Sequence, residues 1–388
     1  MAGVTLKDIE AAWKVVNGQV RHTPVKRSSS LSEMTGGDLW LKFENFQRTG
    51  SFKVRGALNK IHSLTPDERR RGVVAASAGN HAQGVAYAAA KAAATRGYGA
   101  EVHLVGRDYQ EAFEHAKAFC AKQKAIFVHA YNDPAIMAGQ GTLGMEIHQD
   151  LPDLDVVLVP IGGGGLISGV ATALKALNPK IRVIGVQAEG ASTIAPSLEK
   201  GKPVALAETQ TMADGIAVRS ADPGMLQGLR RVVDQVVTVS EAEIAAAILF
   251  LLERAKTVAE GAGAVSLAAA MHGKVNLKGK KACVVVSGGN IDMNLVGRII
   301  QRGLVKEGRI AVLETVISDR PGSLAAFLAL LAEHKASVID LHHDRDRTDI
   351  ALNRTGLEVH VEVRGRDHIE ELRKALRTAG YEAKIGGP

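Results

Sequence analysis

Aromatic residues make up only 4% of this 388-residue chain, so burial must rely on Ala, Val, Leu and Ile. Cysteine is scarcer still. Cys120 and Cys283 stand far apart in apolar contexts, which excludes a disulfide framework and reads as two buried free thiols in a reducing compartment. No long hydrophobic run exists: stretches such as Ala245 to Leu252 are too short to span a bilayer, so no membrane partner is expected. Met1 to Val16 contains acidic residues and no apolar stretch of the kind a signal peptide needs, and a cytoplasmic location is expected. Lys and Arg exceed Asp and Glu by 48 to 41, yet they form no run of five and do not interleave with aromatics. That argues against nucleic-acid binding and for a solvated basic surface or a small anionic ligand.

What is present is an ordinary globular composition, 46% hydrophobic and 23% charged, long enough for two or three domains. The 41 glycines exceed the usual ~7% and point to turns and backbone-lined ligand loops. From about residue 70 to 300, short β-branched runs alternate with Ala-rich stretches. Strands are predicted at 73–76, 102–105, 126–128, 155–161, 183–186 and 282–286, with helices over 79–97, 109–122 and 166–177 between them. This rhythm predicts α/β architecture with parallel sheets covered on both faces. After Gly308 the pattern becomes β-α-β-β-α-β, a ferredoxin-like order, with strands at 309–317, 337–343, 357–363 and 381–385 and helices over 324–333 and 367–378. Charge is nearly balanced there, 12 basic against 13 acidic residues, so the positive excess belongs to the first part. A domain boundary is placed near Lys306–Arg309, giving a first domain over 1–308 and a second domain over 309–388.

Three loops carry chemistry. Gly162-Gly163-Gly164-Gly165 follows a buried strand and opens a helix, where free N–H groups and the helix dipole suit a phosphate. A tight strand-to-helix turn is the alternative, although it needs only one or two glycines. Ser77-Ala78-Gly79-Asn80-His81 also lies at a strand end opening a helix. It could hold a carboxylate or a phenolic oxygen, or simply cap the helix. Ser287-Gly288-Gly289-Asn290 is a third strand-end loop, and parallel sheets gather such loops at strand carboxyl ends. Ser51-Phe52-Lys53-Val54-Arg55-Gly56-Ala57 adds a lysine among small and apolar neighbours. A desolvated amine there can form a Schiff base with a carbonyl cofactor, whereas alone it reads first as a solvated helix-start lysine.

In this order and spacing, together with Met212-Ala213-Asp214-Gly215 and Glu260-Gly261-Ala262-Gly263-Ala264, the motifs resemble those of fold-type II pyridoxal-phosphate enzymes, close to the threonine dehydratases. The resemblance covers residues 5–305. It implies a two-subdomain core like that of the tryptophan synthase β chain, with a small subdomain over about 46–146. The last eighty residues resemble an ACT domain, with Asp319-Arg320-Pro321-Gly322-Ser323-Leu324 as its first loop and helix start.

The resemblance implies roles. Lys53 would bind pyridoxal 5'-phosphate and then act as the base at Cα, with Phe52 beside the ring. Asn80 would bond the phenolic oxygen. Ser77, Ala78, Gly79, Asn80 and His81 would grip the substrate carboxylate, Ser77 with its hydroxyl as well, and His81 is not cast as the base. Gly162 to Gly165 and Leu166 would bind the phosphate, Ser287 would face the pyridine nitrogen, and Gly215 and Glu260 would line the ring pocket. A neutral hydroxyl at the pyridine nitrogen favours prompt loss of a β-hydroxyl over transamination. Ala78 stands where similar serine racemases carry a reprotonating serine, and Gln187 and Thr193 stand where racemase-like relatives carry cation-binding acids, so no metal is assigned.

The expected reaction is β-elimination of L-threonine, and of L-serine more slowly, to 2-oxobutanoate or pyruvate and ammonia. Alternatives are a serine racemase or hydroxyaspartate dehydratase on the same scaffold, and a non-catalytic amino-acid sensor. A homo-oligomer, dimer or tetramer, is expected, with an amino-acid effector such as isoleucine or valine near Asp319–Leu324. One departure stands out. Ala88 to Ala94 runs straight into Thr95 to Val102, so about one βα unit of the family pattern is missing. Either the small subdomain is trimmed or a segment is omitted. Loss of a buried parallel strand should bare its neighbours, which favours omission, and the Cα spacing over 90–95 is the test.

Overall fold

The computed structural model describes residues 3–77, 80–92, 101, 103–106 and 109–386. The chain divides at Asp292/Met293 into two compact units. The first begins with α1 (Leu6–Val16), β1 (Val25–Arg27), α2 (Ser29–Thr35), β2 (Asp38–Phe43) and α3 (Lys53–Ser63). It continues through α4 (Pro66–Arg71), β3 (Val73–Val74), α5 (Asn80–Ala92), α6 (Tyr109–Gln123), β4 (Ile126–Phe127) and α7 (Pro134–Asp150). Then come β5 (Val156–Pro160), α8 (Gly165–Leu177), β6 (Arg182–Ala188), α9 (Ile194–Lys200), α10 (Pro223–Val232), β7 (Gln235–Val239), α11 (Glu241–Phe250), α12 (Gly261–Met271) and β8 (Lys281–Val286).

Six strands form one sheet in the order β1-β2-β8-β5-β6-β7, parallel throughout except for the β1 edge. The central strands β5 and β8 are continuous apolar runs because helices cover both faces, leaving no solvent side to call for alternation. Parallel register brings the carboxyl ends of β5 and β8 to one edge, where the glycine run and the Ser287 loop emerge. Helices α7 and α8 cross at backbone contact. A Cβ on Gly144 would lie 2.8 Å from the Val170 carbonyl oxygen, and one on Gly169 would strike Met137 and Gly141 backbone.

A second sheet pairs only β3 with β4, in parallel, and packs with α3 and α5 around Val54, Leu58, Val85 and Val128. Helix α5 meets the start of α3 closely: a Cβ on Gly84 would lie 3.2 Å from the Lys53 carbonyl carbon. The described residues of the predicted strand at 102–105 form no ladder. Val102 lies outside the described residues, and His103–Gly106 is irregular, with Leu104 95% exposed. Both β3 and β4 are half-buried. The 90–95 spacing that would test chain continuity falls on residues outside those described, as does the end of the predicted 79–97 helix.

The second unit holds α13 (Met293–Lys306), β9 (Ile310–Ser318), α14 (Ser323–Glu333), β10 (Ser337–Asp344), β11 (Arg354–Glu362), α15 (Arg366–Thr378) and β12 (Lys384–Gly386). Its antiparallel sheet runs β10-β11-β9-β12. Alternation along β9 and β11 turns Leu313, Ile317, Val359 and Val361 inward against Phe327 and Leu331 of α14 and Leu372 and Leu376 of α15. This is the β-α-β-β-α-β order expected for the C-terminal region.

Candidate active site

A cavity of about 280 Å³ opens at the carboxyl edge of the large sheet. Lys53 is the first residue of α3, and two contacts pin it to the loop after β8: Ser51 bridges to Gly288, and the Phe52 N–H donates to the Ser287 carbonyl (3.1 Å). Its amine donates to the Ala130 carbonyl at 3.3 Å. Burial lowers the Lys53 pKa to about 8, with the Glu260 charge pulling the other way. A lysine in that range is partly neutral near physiological pH and can act as nucleophile or base.

Opposite it, β5 ends in the glycine run and α8 begins. Gly164 has φ +92°, a left-handed conformation, and is the N-cap of a helix that no side chain caps. Side chains have no room here. A Cβ on Gly162 would lie 2.9 Å from Ile216 Cα, one on Gly165 2.7 Å from the Tyr131 carbonyl oxygen, and one on Gly163 would strike the Tyr131 ring. The run is therefore a backbone-lined cradle at an uncapped helix N-terminus, which suits a phosphate.

The third wall is polar. Asn80, at the start of α5, donates to Glu260 Oε1 (2.6 Å), and its Oδ1 accepts from Asn290 Nδ2 (2.6 Å). Burial, with a contribution from the Asp214 charge, lifts Glu260 to about 7, while the Asn80 bond and Lys53 oppose this. His81 is buried and its Nε2 bonds the Val128 carbonyl (2.9 Å). Burial and the Lys53 charge hold it down to about 3, so the ring is neutral and engaged. Ser287 is buried, with its hydroxyl 3.3 Å from the Ala262 carbonyl.

Phe52, Lys53, Ser77, Asn80, His81, Gly162 to Gly165, Leu166, Gly215, Glu260 and Ser287 thus all line one cavity. Ala78 and Gly79 lie outside the described residues. Sequence reasoning missed Ala130 and Tyr131, which also line it beside Asp214 of the Met212–Gly215 motif. The signal available was the helix start Asp133-Pro134, an N-cap followed by proline, which marks the preceding residues as a turn. Among the described residues no cluster of three or more His, Cys, Asp or Glu could hold a metal. Gln187 instead caps α9, its Oε1 accepting the N–H groups of Ile194 (3.0 Å) and Ala195 (3.2 Å). The residues present fit pyridoxal phosphate: a desolvated amine, a backbone cradle for phosphate and a hydroxyl on the far wall share one cavity.

Comparison with known proteins agrees. Residues 16–288 match the family described as pyridoxal-phosphate dependent enzyme, and residues 311–380 match the ACT domain. The chain is 48% identical over 401 aligned residues to an L-threonine ammonia-lyase of Thermotoga maritima, covering 99% of this chain and all of that protein. Among solved structures, a maize serine racemase superposes with a TM-score of 0.72 at 32% identity, covering 78% of this chain and 98% of that one. A processed threonine deaminase isoform from Solanum lycopersicum gives 0.71 at 33% identity, covering 76% and 86%.

Proposed function

The chain belongs to the pyridoxal-phosphate dependent enzyme family and carries an ACT domain, and on that premise we propose that it is an L-threonine ammonia-lyase. L-threonine loses its Cα proton and its β-hydroxyl, giving an enamine that water converts to 2-oxobutanoate and ammonia. The observation that carries the reading is the convergence of Lys53, Asn80, the glycine run and Ser287, four separate segments, on one cavity.

Pyridoxal phosphate, when bound, supplies an electron sink for the bond broken at Cα. The backbone N–H groups at Gly162–Gly165 and the α8 N-terminus would hold its phosphate. Asn80, oriented by Glu260 and Asn290, would hold its phenolic oxygen. Ser287 offers a neutral hydroxyl on the far wall. Ser77 and the start of α5 take the substrate carboxylate, whose charge the helix N-terminus favours. Lys53 Nζ, desolvated by burial, would take the Cα proton. Phe52, whose ring centroid lies 5.1 Å from that amine, keeps water from this side of the pocket. The ACT unit suits an amino-acid effector that regulates the rate.

The test is product analysis. L-threonine is expected to yield 2-oxobutanoate and ammonia in equal amounts, and L-serine to yield pyruvate more slowly. Appearance of D-serine as the main product from L-serine would favour a racemase instead.

A further inference from the structure

The segment Val128–Asn132 joins β4 to α7 and faces Lys53, yet no motif contains it. It leaves the small sheet at Val128, whose N–H donates to the Val74 carbonyl (2.8 Å). A side chain then shapes the turn: His129 Nδ1 accepts the N–H groups of both Tyr131 (3.2 Å) and Asn132 (3.0 Å). A ring nitrogen accepting two N–H groups carries no proton, so the bonding pattern assigns the Nε2–H tautomer. Burial holds the His129 pKa down at about 4, and the ring keeps this form across the neutral range. The ring packs T-shaped with Tyr131 at 4.6 Å between centroids and with Phe113 at 5.4 Å, which fixes its plane.

The turn has two products. It presents the Ala130 carbonyl to Lys53 Nζ at 3.3 Å, and it lays Tyr131 across the glycine cradle. At its far end Asp133 caps α7 and pairs with Lys60 (2.7 Å), so the turn is anchored on both sides. Geometry here matters chemically. A lysine amine sits on a flexible four-carbon stem, and proton abstraction needs the lone pair aimed at Cα. A neutral amine has two N–H bonds and one lone pair, so a fixed carbonyl that accepts one N–H restricts where the lone pair points.

We propose that His129 is a positioning residue for Lys53: by closing the Val128–Asn132 turn it holds the Ala130 carbonyl that aims the amine. This rests on the reading of Lys53 as cofactor amine and base. The test compares His129→Phe, which keeps the ring volume without an acceptor, with His129→Asn, whose side-chain oxygen can accept the same two N–H groups. For the folded holoenzyme, His129→Phe is expected to lower kcat about ten- to a hundredfold with KM little changed. It is also expected to alter the visible circular dichroism of the bound cofactor and to raise the rate of Lys53 reductive methylation in the apo-protein, read by peptide mass spectrometry. His129→Asn is expected to restore all three toward wild type. Should the Phe variant not fold, His129→Ala carries the same comparison. Wild-type behaviour of His129→Phe, or equal losses in the Phe and Asn variants, overturns the proposal. Failure of the underlying reading is distinct: the wild-type protein itself would then show no cofactor band that Lys53→Ala removes.

Discussion

Arg55→Met removes one of four charges sealed together beneath the catalytic helix. Arg55 Nε and Nη2 bond the two oxygens of Glu44 (2.8 Å each), and Nη1 bonds Glu146 Oε1 (2.6 Å). Lys42 pairs with Glu146 Oε2 (2.7 Å). All four side chains are at most 2% exposed, and the quartet is neutral, two cations against two carboxylates. The methionine leaves a net negative charge in a dry site, where Thr23 Oγ1 still donates to Glu44 Oε1. Removing one partner from such a cluster costs about 3–5 kcal/mol. At roughly 2 °C per kcal/mol for a unit of this size, the melting temperature should fall by about 6–10 °C. Tryptophan fluorescence reads this in the first unit alone, because Trp13 and Trp40 both lie there. Adding Glu44→Gln removes the stranded charge and should recover about half of the loss or more.

The pH dependence has a defined sign. Burial works to raise the Glu146 pKa, but Arg55 and Lys42 bring it below its ordinary 4.5. A depressed carboxylate contributes stability above its unfolded pKa and loses it as pH falls through the folded value. The difference between wild type and Arg55→Met should therefore hold from pH 7 to 5 and shrink below about 4.5. A fall under about 2 °C at pH 7, or a double variant as unstable as the single one, would refute the reasoning.

Other expectations follow from the cavity. In the apo-protein, reductive methylation of Lys53 should rise with a midpoint near pH 8, against 10.5 for an ordinary lysine, and a midpoint above 10 would contradict its burial. Glu260 is raised to about 7, so the folded apo-protein binds the extra proton between about pH 4.5 and 7 and its stability falls as pH rises through that window. Glu260→Gln should flatten that fall in a series of melting curves, and an unchanged slope would count against the raised value. Gly165→Ala places a methyl 2.7 Å from the Tyr131 carbonyl oxygen, and cofactor titration by absorbance should show at least about tenfold weaker binding, an energy near 1.4 kcal/mol.

Much of this was legible in the sequence because local signals and global fold coincide. The buried strands β5 and β8 are unbroken apolar runs, and the loops after them are rich in glycine, so both existence and polarity could be read. The C-terminal alternation was readable for the same reason. What escaped depends on partners distant in sequence. Lys42, Glu44, Arg55 and Glu146 carry no shared motif, and only folding makes them one cluster. Ala130 contributes a carbonyl, which any residue has. The 102–105 run reads as a strand by composition, yet its described residues are irregular, because β-propensity depends on tertiary context. Composition changes at Gly308 whereas compactness changes at Asp292, because the packing of the helix Met293–Lys306 is a tertiary property.

Lys53 is the centre of the account, and one experiment bears on it most directly. The purified protein with pyridoxal phosphate is reduced with borohydride, digested and mapped by mass spectrometry, beside Lys53→Ala treated identically. A cofactor-sized mass addition on the peptide bearing Lys53, together with loss of the visible absorbance band and of 2-oxobutanoate formation in Lys53→Ala, is the expected result. Cofactor mass on another lysine, or an undiminished band and rate in Lys53→Ala, would contradict it.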